Sequence, residues 1–229
     1  GRRMPVQRYV DACFVLAQQH QDRVAVQRGD RRIEHDERGR IGGFAEQVLV
    51  HESGVVSVRR DVEFDKLCLV GCGVTTGFGA VVNTCGVRPG ETVAVIGLGG
   101  VGLAAVNGAA VAGAGRIIAI DRVASKLEMA KIFGATDGID ASSTDAAAAI
   151  KELTGGKGVH HAIEAVGSKA TIELSGSILG KGGRATVIGM TPPDLKIEIN
   201  AISLLREQGI QGSLMGGVRN SIDIPRYVD

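Results

Sequence analysis

A doubly wound, six-stranded parallel sheet is the fold class predicted for residues 88–216. Short apolar runs rich in Val and Ile alternate there with helical runs, six times over. Glycines or prolines separate the runs, as at Pro89-Gly90 and Gly113. Aromatic residues make up only 3% and Trp is absent, while glycine occurs 34 times, a composition that suits close helix-on-sheet packing.

The elements follow in order. Residues 1–40 hold nine Arg and six Asp or Glu and show no strand or helix periodicity. FAEQVLV (44–50) and VVSV (55–58) read as short strands. DKLCLVGCGVTTGFGAVVNTCGV (65–87) reads as a helix, a glycine-rich break and a second helix. TVAVI (92–96) is the first sheet strand, and VGLAAVNGAAVA (101–112) is a helix that Gly113 ends. RIIAI (116–120) is a strand. SKLEMAKIF (125–133) is an amphipathic helix with Gly134 at its C′ position. GID (138–140) is a short strand, and Thr144 is the expected cap of DAAAAIKEL (145–153). VHHAIEAV (159–166) and RATVIGM (184–190) are strands on either side of the helix KATIELSGSIL (169–179). NAISLLREQ (200–208) is a helix and IQGSLMG (210–216) the sixth strand. Strands joined by helical crossovers imply parallel pairing with both faces covered.

A chain of 229 residues is enough for one large domain or two small ones. No apolar run is expected to reach the ~18 residues of a membrane span. The net charge of +1 gives no reason to expect nucleic acid or anionic membrane as a partner. The N-terminus is polar and basic, without the apolar stretch of a secretory signal. Cys13, Cys68, Cys72 and Cys85 lack the spacing of a disulfide framework, so a reducing, cytoplasmic compartment is expected.

GLGGVG (97–102) carries chemistry because of its setting. It begins where the strand VAVI ends, and a helix starts inside it. Gly97 permits a tight turn. Gly99 has no Cβ to hold a pyrophosphate away from backbone N–H groups, and Gly102 lets helix and strand approach. The helix N-terminus adds free donors and partial positive charge. Asp121, 24 positions after Gly97, ends the next strand and can accept hydrogen bonds from ribose hydroxyls. This is the Rossmann fingerprint, and the carboxylate favours NAD over NADP because it repels a 2′-phosphate. Arg122 reads as a solvated loop residue. Lys126 is either a second ribose partner or one charge among several on an exposed helix face. His160 and His161 are adjacent, so a strand turns them to opposite faces and they form no metal pair.

VGCGVTTGFGAVVNT (70–84), with FAEQVLVHE, VRPGETVAVIGLGGVG and DRVASKLEMAKIFGAT, resembles the zinc-dependent medium-chain alcohol dehydrogenases, class III and bacterial members above all. The resemblance runs from about residue 42 to 229. It implies oxidation of alcohols to aldehydes or ketones, with NAD and zinc as cofactors and a small alcohol or aldehyde as substrate. Cys72 matches a ligand of the catalytic zinc, and Thr76 matches a catalytic-site residue lining the nicotinamide. Leu98, Gly100 and Val101 belong to the pyrophosphate turn. Val166, then Ile188, Gly189 and Met190, then Ser213, Leu214 and Met215 match successive segments of the cofactor cleft.

The implied domain plan has four parts. Residues 1–41 are unassigned and basic, and 42–74 are the remnant of a β-rich, GroES-like catalytic domain. Residues 75–216 form the NAD-binding domain, and 217–229 begin the return to the catalytic domain. The resemblance also implies a homodimer, paired through the edge of IQGSLMG.

The family's Cys-x-Ser/Thr/Asp and Gly-His-Glu zinc motifs are not matched. His20, His35 and His51 lie in QQHQ, IEHD and VHES, and only Cys13 precedes residue 68. The family also continues past YVD with a segment that carries an arginine for the pyrophosphate. Three readings therefore stand: a zinc alcohol dehydrogenase impaired in this chain, a non-catalytic NAD-binding module, and a fold that takes S-adenosylmethionine. The complete fingerprint with Asp121 favours the first two.

Overall fold

A computed structural model describes residues 55–229, together with the backbone of Val26–Gln27 and Val50–His51, which pair in parallel. The expected strand FAEQVLV lies outside the described residues except for Val50, as do Cys13, His20 and His35. The chain divides into two compact units, residues 1–72 with 219–229, and residues 73–218.

In the first unit, VVSV does not form the expected strand; only Val56 makes a bridge, and the residues around it are irregular. Helix α1 spans Phe64–Leu69 and helix α8 spans Asn220–Val228. Asp223 of α8 is buried and accepts from Arg219 N at 2.8 Å and from the Arg219 guanidinium at 3.2 Å. The guanidinium holds the Asp223 carboxyl below its usual range against the opposing effect of burial.

The second unit is built on six strands: β1 Thr92–Ile96, β2 Arg116–Asp121, β3 Asp137–Asp140, β4 Val159–Glu164, β5 Leu179–Val187 and β6 Gly209–Gly212. Their order is β3-β2-β1-β4-β5-β6, and every neighbouring pair is parallel. The chain winds outward from β1 in one direction and restarts beside it at β4, so the crossover point lies between β1 and β4.

Alternate strand residues face opposite layers. Val93, Val95, Ile117 and Ala119 pack with Val106 and Ala109 of α3, which spans Gly100–Val111. Ala94, Ile96, Ile118 and Ile120 pack with Ile150 and Ile178 on the other side. Helices α4 (Ala124–Ile132), α5 (Ala146–Leu153) and α6 (Lys169–Ser177) complete the crossovers.

Several expectations are corrected. No break interrupts residues 65–87. The run is helical from Phe64 to Cys85, with π-helical Val70–Val74 and Ala80–Cys85 on either side of α2 (Thr75–Gly79). Gly77 and Gly79 are kept for contact rather than for a bend: a Cβ on Gly77 would collide with Val101 O of α3 and one on Gly79 with Gly216 O, whereas one on Gly73 would meet nothing within 4 Å. By length and composition this helix could cross a membrane, contrary to the reading of the sequence. Its short polar residues interrupt the apolar letters without lowering the overall apolarity, and the apolar face of its second half is spent on α3.

Asp145, not Thr144, caps α5, accepting from the N–H groups of Ala147 and Ala148 at 2.9 and 3.2 Å. Strand β5 starts at Leu179, five residues before the expected start and inside the expected helix 169–179. Helix α7 is a single turn, Ile202–Leu205, and not the nine residues 200–208. Glu207 turns into the left-handed region (φ 61°), and the Gln208 side chain donates to Leu179 O at 2.6 Å. Strand β6 spans Gly209–Gly212 and not the expected 210–216; Met215 within the expected strand takes a positive φ (50°).

Candidate dinucleotide-binding site

Register brings the predicted residues together. Ile120, Ile96, Glu164, Val187 and Gly212 lie in one row across five strands. Gly97, Asp121, Val166, Ile188–Met190 and Ser213–Met215 all follow that row within three residues. Segments separated by more than a hundred positions therefore line one edge, the carboxyl edge of the sheet, at the crossover point where open α/β sheets take ligands.

The turn after β1 is fixed by backbone contacts. Gly97 adopts φ 89°, and its N–H donates to Ile120 O at 2.9 Å. Gly102 cannot carry a side chain, because a Cβ there would collide with Gly97 O. At Gly99 and Gly100, by contrast, a Cβ would meet nothing within 4 Å. That open space lies directly before the first turn of α3. Gly99 is the N-cap and offers no side chain, so the N–H groups of Gly100, Val101 and Gly102 have no intrahelical acceptor. An anion placed there meets free donors and the positive end of the helix. The residues fit a dinucleotide pyrophosphate.

Asp121 has a second task that the sequence did not show. Its Oδ2 accepts from Leu98 N at 2.8 Å, and its Oδ1 from Arg122 N and Val123 N at 2.8 and 3.1 Å. The carboxylate ties the glycine turn to the loop after β2. Its side chain is 10% exposed, and Lys126 Nζ approaches Oδ2 at 3.7 Å. An ionised carboxylate offers about four acceptor positions, so capacity remains for a ribose hydroxyl. Lys126 stands beside that position, and Arg122 is exposed.

The far side of the edge is held by α2. Thr76 Oγ1 donates to Met215 Sδ at 3.7 Å, and Thr84 Oγ1 and Ser213 Oγ lie 2.7 Å apart. Gly216 takes φ 67°, and a Cβ there would collide with Thr75 O. Met190 and Leu214 are almost fully exposed, at 92% and 85%, and Val166 is half exposed. An apolar rim of this kind has area to offer a flat ring.

The zinc ligands implied by the resemblance do not come together here. Cys72 is exposed in the π-helical turn Val70–Val74. Among the described residues, no three His, Cys, Asp or Glu side chains gather as a metal ion requires. The described residues therefore do not fit a zinc centre. His160 Nδ1 accepts from Thr92 N at 3.0 Å, and His161 Nε2 meets Glu91 Oε2 at 2.9 Å.

Sequence reasoning passed over Glu164. This residue ends β4 fully buried. Its Oε1 accepts from Val166 N, Gly167 N and Thr171 Oγ1 at 2.9, 2.8 and 2.7 Å. Its main-chain oxygen accepts from Ile188 N and Gly189 N. One residue thus shapes the loops after both β4 and β5, and through Val166 it sets what abuts Gly97. The available signal was a lone carboxylate in an apolar strand, three residues before Gly167.

The family model for zinc-binding dehydrogenases matches residues 100–229. An S-(hydroxymethyl)glutathione dehydrogenase from Synechocystis is 39% identical over 189 residues, 81% of this chain and 51% of that protein. A class-3 alcohol dehydrogenase from Myxine glutinosa is 39% identical, over 81% of this chain and 50% of its own length. The crystal structure of benzyl alcohol dehydrogenase from Acinetobacter calcoaceticus superposes with TM-score 0.81 at 35% identity, covering 87% of this chain and 57% of that one. The chain spans about half the length of the curated relatives it matches.

Glu164→Ala leaves the N–H groups of Val166 and Gly167 without their acceptor and is expected to lower stability by about 3 kcal/mol. Glu164→Gln, which keeps an oxygen at Oε1, should cost clearly less. Urea unfolding reads both, and an alanine variant within ~0.5 kcal/mol of the parent would remove this role.

Proposed function

The chain belongs to the zinc-binding dehydrogenase family, and from that premise we propose that residues 73–218 bind NAD along the carboxyl edge of the sheet. The whole protein, on this reading, oxidises an alcohol to an aldehyde or ketone. The observation that carries the proposal is the single row of strand ends that collects Gly97, Asp121, Val166, Ile188 and Ser213. NAD bound there would supply the hydride acceptor. The chain's own residues bind and orient it: α3 offers N–H donors to the pyrophosphate, Asp121 accepts from the ribose, and Thr76 with Met215 borders the nicotinamide end.

Asp121 also supports the choice between cofactors. Its carboxylate is already fixed by three backbone donors and cannot swing away from a 2′-phosphate. NADH is expected to bind at least tenfold tighter than NADPH, about 1.4 kcal/mol. Asp121→Asn, which keeps an acceptor for the turn, should narrow the gap. Calorimetric titration with both cofactors decides, and equal affinities would contradict the assignment.

A second reading, an NAD-binding module without chemistry of its own, is favoured by the ligand inventory. Catalytic zinc is held by three protein groups with a fourth position open, and the described residues supply no such set. The polypeptide on its own is therefore expected to bind NADH, to carry less than one zinc per chain by atomic emission, and to oxidise ethanol or longer alcohols near background. A full equivalent of zinc with ordinary turnover would overturn this and would direct attention to Cys13, His20, His35 and His51.

The edge of β6 supports a homodimer. Gly209–Gly212 pairs only with β5 among the described strands. Leu204, Leu205 and Leu214 lie exposed near it at 67%, 81% and 85%. An open strand edge beside apolar side chains calls for a partner strand. We also place the protein in the cytoplasm, where free thiols such as Cys68, Cys72 and Cys85 stay reduced. Light scattering at micromolar concentration should give a dimer mass, and a monomer would refute the pairing.

A further inference from the structure

A second cavity lies at the opposite end of the sheet from the glycine turn. It occupies about 670 Å³ near the amino-terminal ends of β4 and β5, between α5, the end of α6 and the residues just after α7. Nothing in the dinucleotide reading uses it. Lys151, Lys157, Lys181 and Arg206 line it, and no Asp or Glu does. Among the described residues, none of these four cations has an ion-pair partner, although most lysines near an acid in this chain do pair, as Lys131 with Glu128 and Lys169 with Glu173.

The neutral polar groups of the lining are already engaged. Gln208 Nε2 donates to Leu179 O and Gly180 O at 2.6 and 3.2 Å, and Ser177 Oγ to Leu174 O at 2.9 Å. The apolar surface open to a ligand comes from exposed Leu205 and Ala148 with half-buried Ala147, over a floor of Ile150, Ile178 and Leu179 that is already buried. The four cations are exposed and no carboxylate in the lining balances them, so a multiply charged anion would meet a local excess of positive charge there. An apolar lining adds area burial for a ligand that has a body as well as charge. The volume is in the range of small-molecule pockets.

We propose that this cavity is a second ligand site, separate from the dinucleotide edge, for an amphiphilic polyanion: an apolar body carrying two or more phosphate, sulfonate or carboxylate groups. Four cations set the charge, and exposed Leu205 and Ala148 beside them set the need for the body. Occupancy is independent of NAD, because the two sites lie at opposite ends of the strands.

Bis-anilinonaphthalene disulfonate, an aromatic dianion whose fluorescence rises on binding, is a suitable probe when titrated in saturating NAD. One saturable site per chain is expected. The variant Lys151→Ser/Lys157→Ser/Lys181→Ser/Arg206→Ser should bind the probe at least tenfold more weakly, about 1.4 kcal/mol, with NAD affinity unchanged. Inorganic pyrophosphate, which has charge but no apolar body, should compete only weakly. All four side chains are outside the core, and circular dichroism checks the fold. Should the fourfold variant misfold, Lys181→Ser and Arg206→Ser alone should each weaken binding about threefold, ~0.65 kcal/mol. Displacement of the probe by NAD, or unchanged affinity in the variants, would overturn the site. Pyrophosphate binding as tight as the dye would overturn the amphiphilic part.

Discussion

The Asp121 carboxylate is the fixed point of the nucleotide-binding edge. It accepts from Leu98 N on one side and from Arg122 N and Val123 N on the other. Without it, the two loops that follow β1 and β2 would each have unpaired donors in a crowded place. With it, Gly97 is held at its positive φ, α3 starts where Gly99 has no side chain, and the first N–H groups of the helix point into open space. On the proposed reading the same oxygens also receive the ribose, so fold and recognition share one side chain. A substitution there acts on both, which is why an amide is a cleaner probe than alanine.

Glu164 does for the second half of the sheet what Asp121 does for the first. Each sits at or next to the row where strands end, and each collects backbone N–H groups from a loop that regular pairing cannot satisfy. Their burial differs. Asp121 retains some exposure, whereas Glu164 has none, although its Oε2 is without a hydrogen-bond partner among the described residues. Difference in exposure separates a carboxylate that can greet a ligand from one that only positions the wall behind it. At the other edge, the φ of Met215 and the tight seat of Gly216 against Thr75 bind the last predicted segment to α2.

Much of this was legible in the sequence. Buried parallel strands read as apolar β-branched runs, so TVAVI, RIIAI and VHHAIEAV identified β1, β2 and β4 directly, and the turn chemistry of GLGGVG pointed to the candidate site at the start of α3. Strand β5 is half hidden, because LGKGG has poor strand propensity and only Leu179 of that stretch pairs with β4 before the register shifts to Arg184. The helix 200–208 was overdrawn, since its periodicity continues past the point where Gln208 turns back to β5. The glycines of residues 71–79 suggest a break, but Gly77 serves close contact with α3 and Gly79 with the segment around Gly216. Thr144 and Asp145 are both good caps by type, and only the backbone chose between them. The second tasks of Asp121 and Glu164 were not readable at all. They depend on which N–H groups tertiary structure leaves without a partner.

Amide hydrogen exchange, followed by mass spectrometry with and without saturating NADH, tests the location of the cofactor most directly. Slower exchange confined to residues 97–103, 121–126, 165–167, 188–190 and 213–216 is the expected result, because those segments border the carboxyl edge. Unchanged exchange at 97–103, or protection centred instead on the cationic cavity near Lys181, would contradict the placement of the dinucleotide.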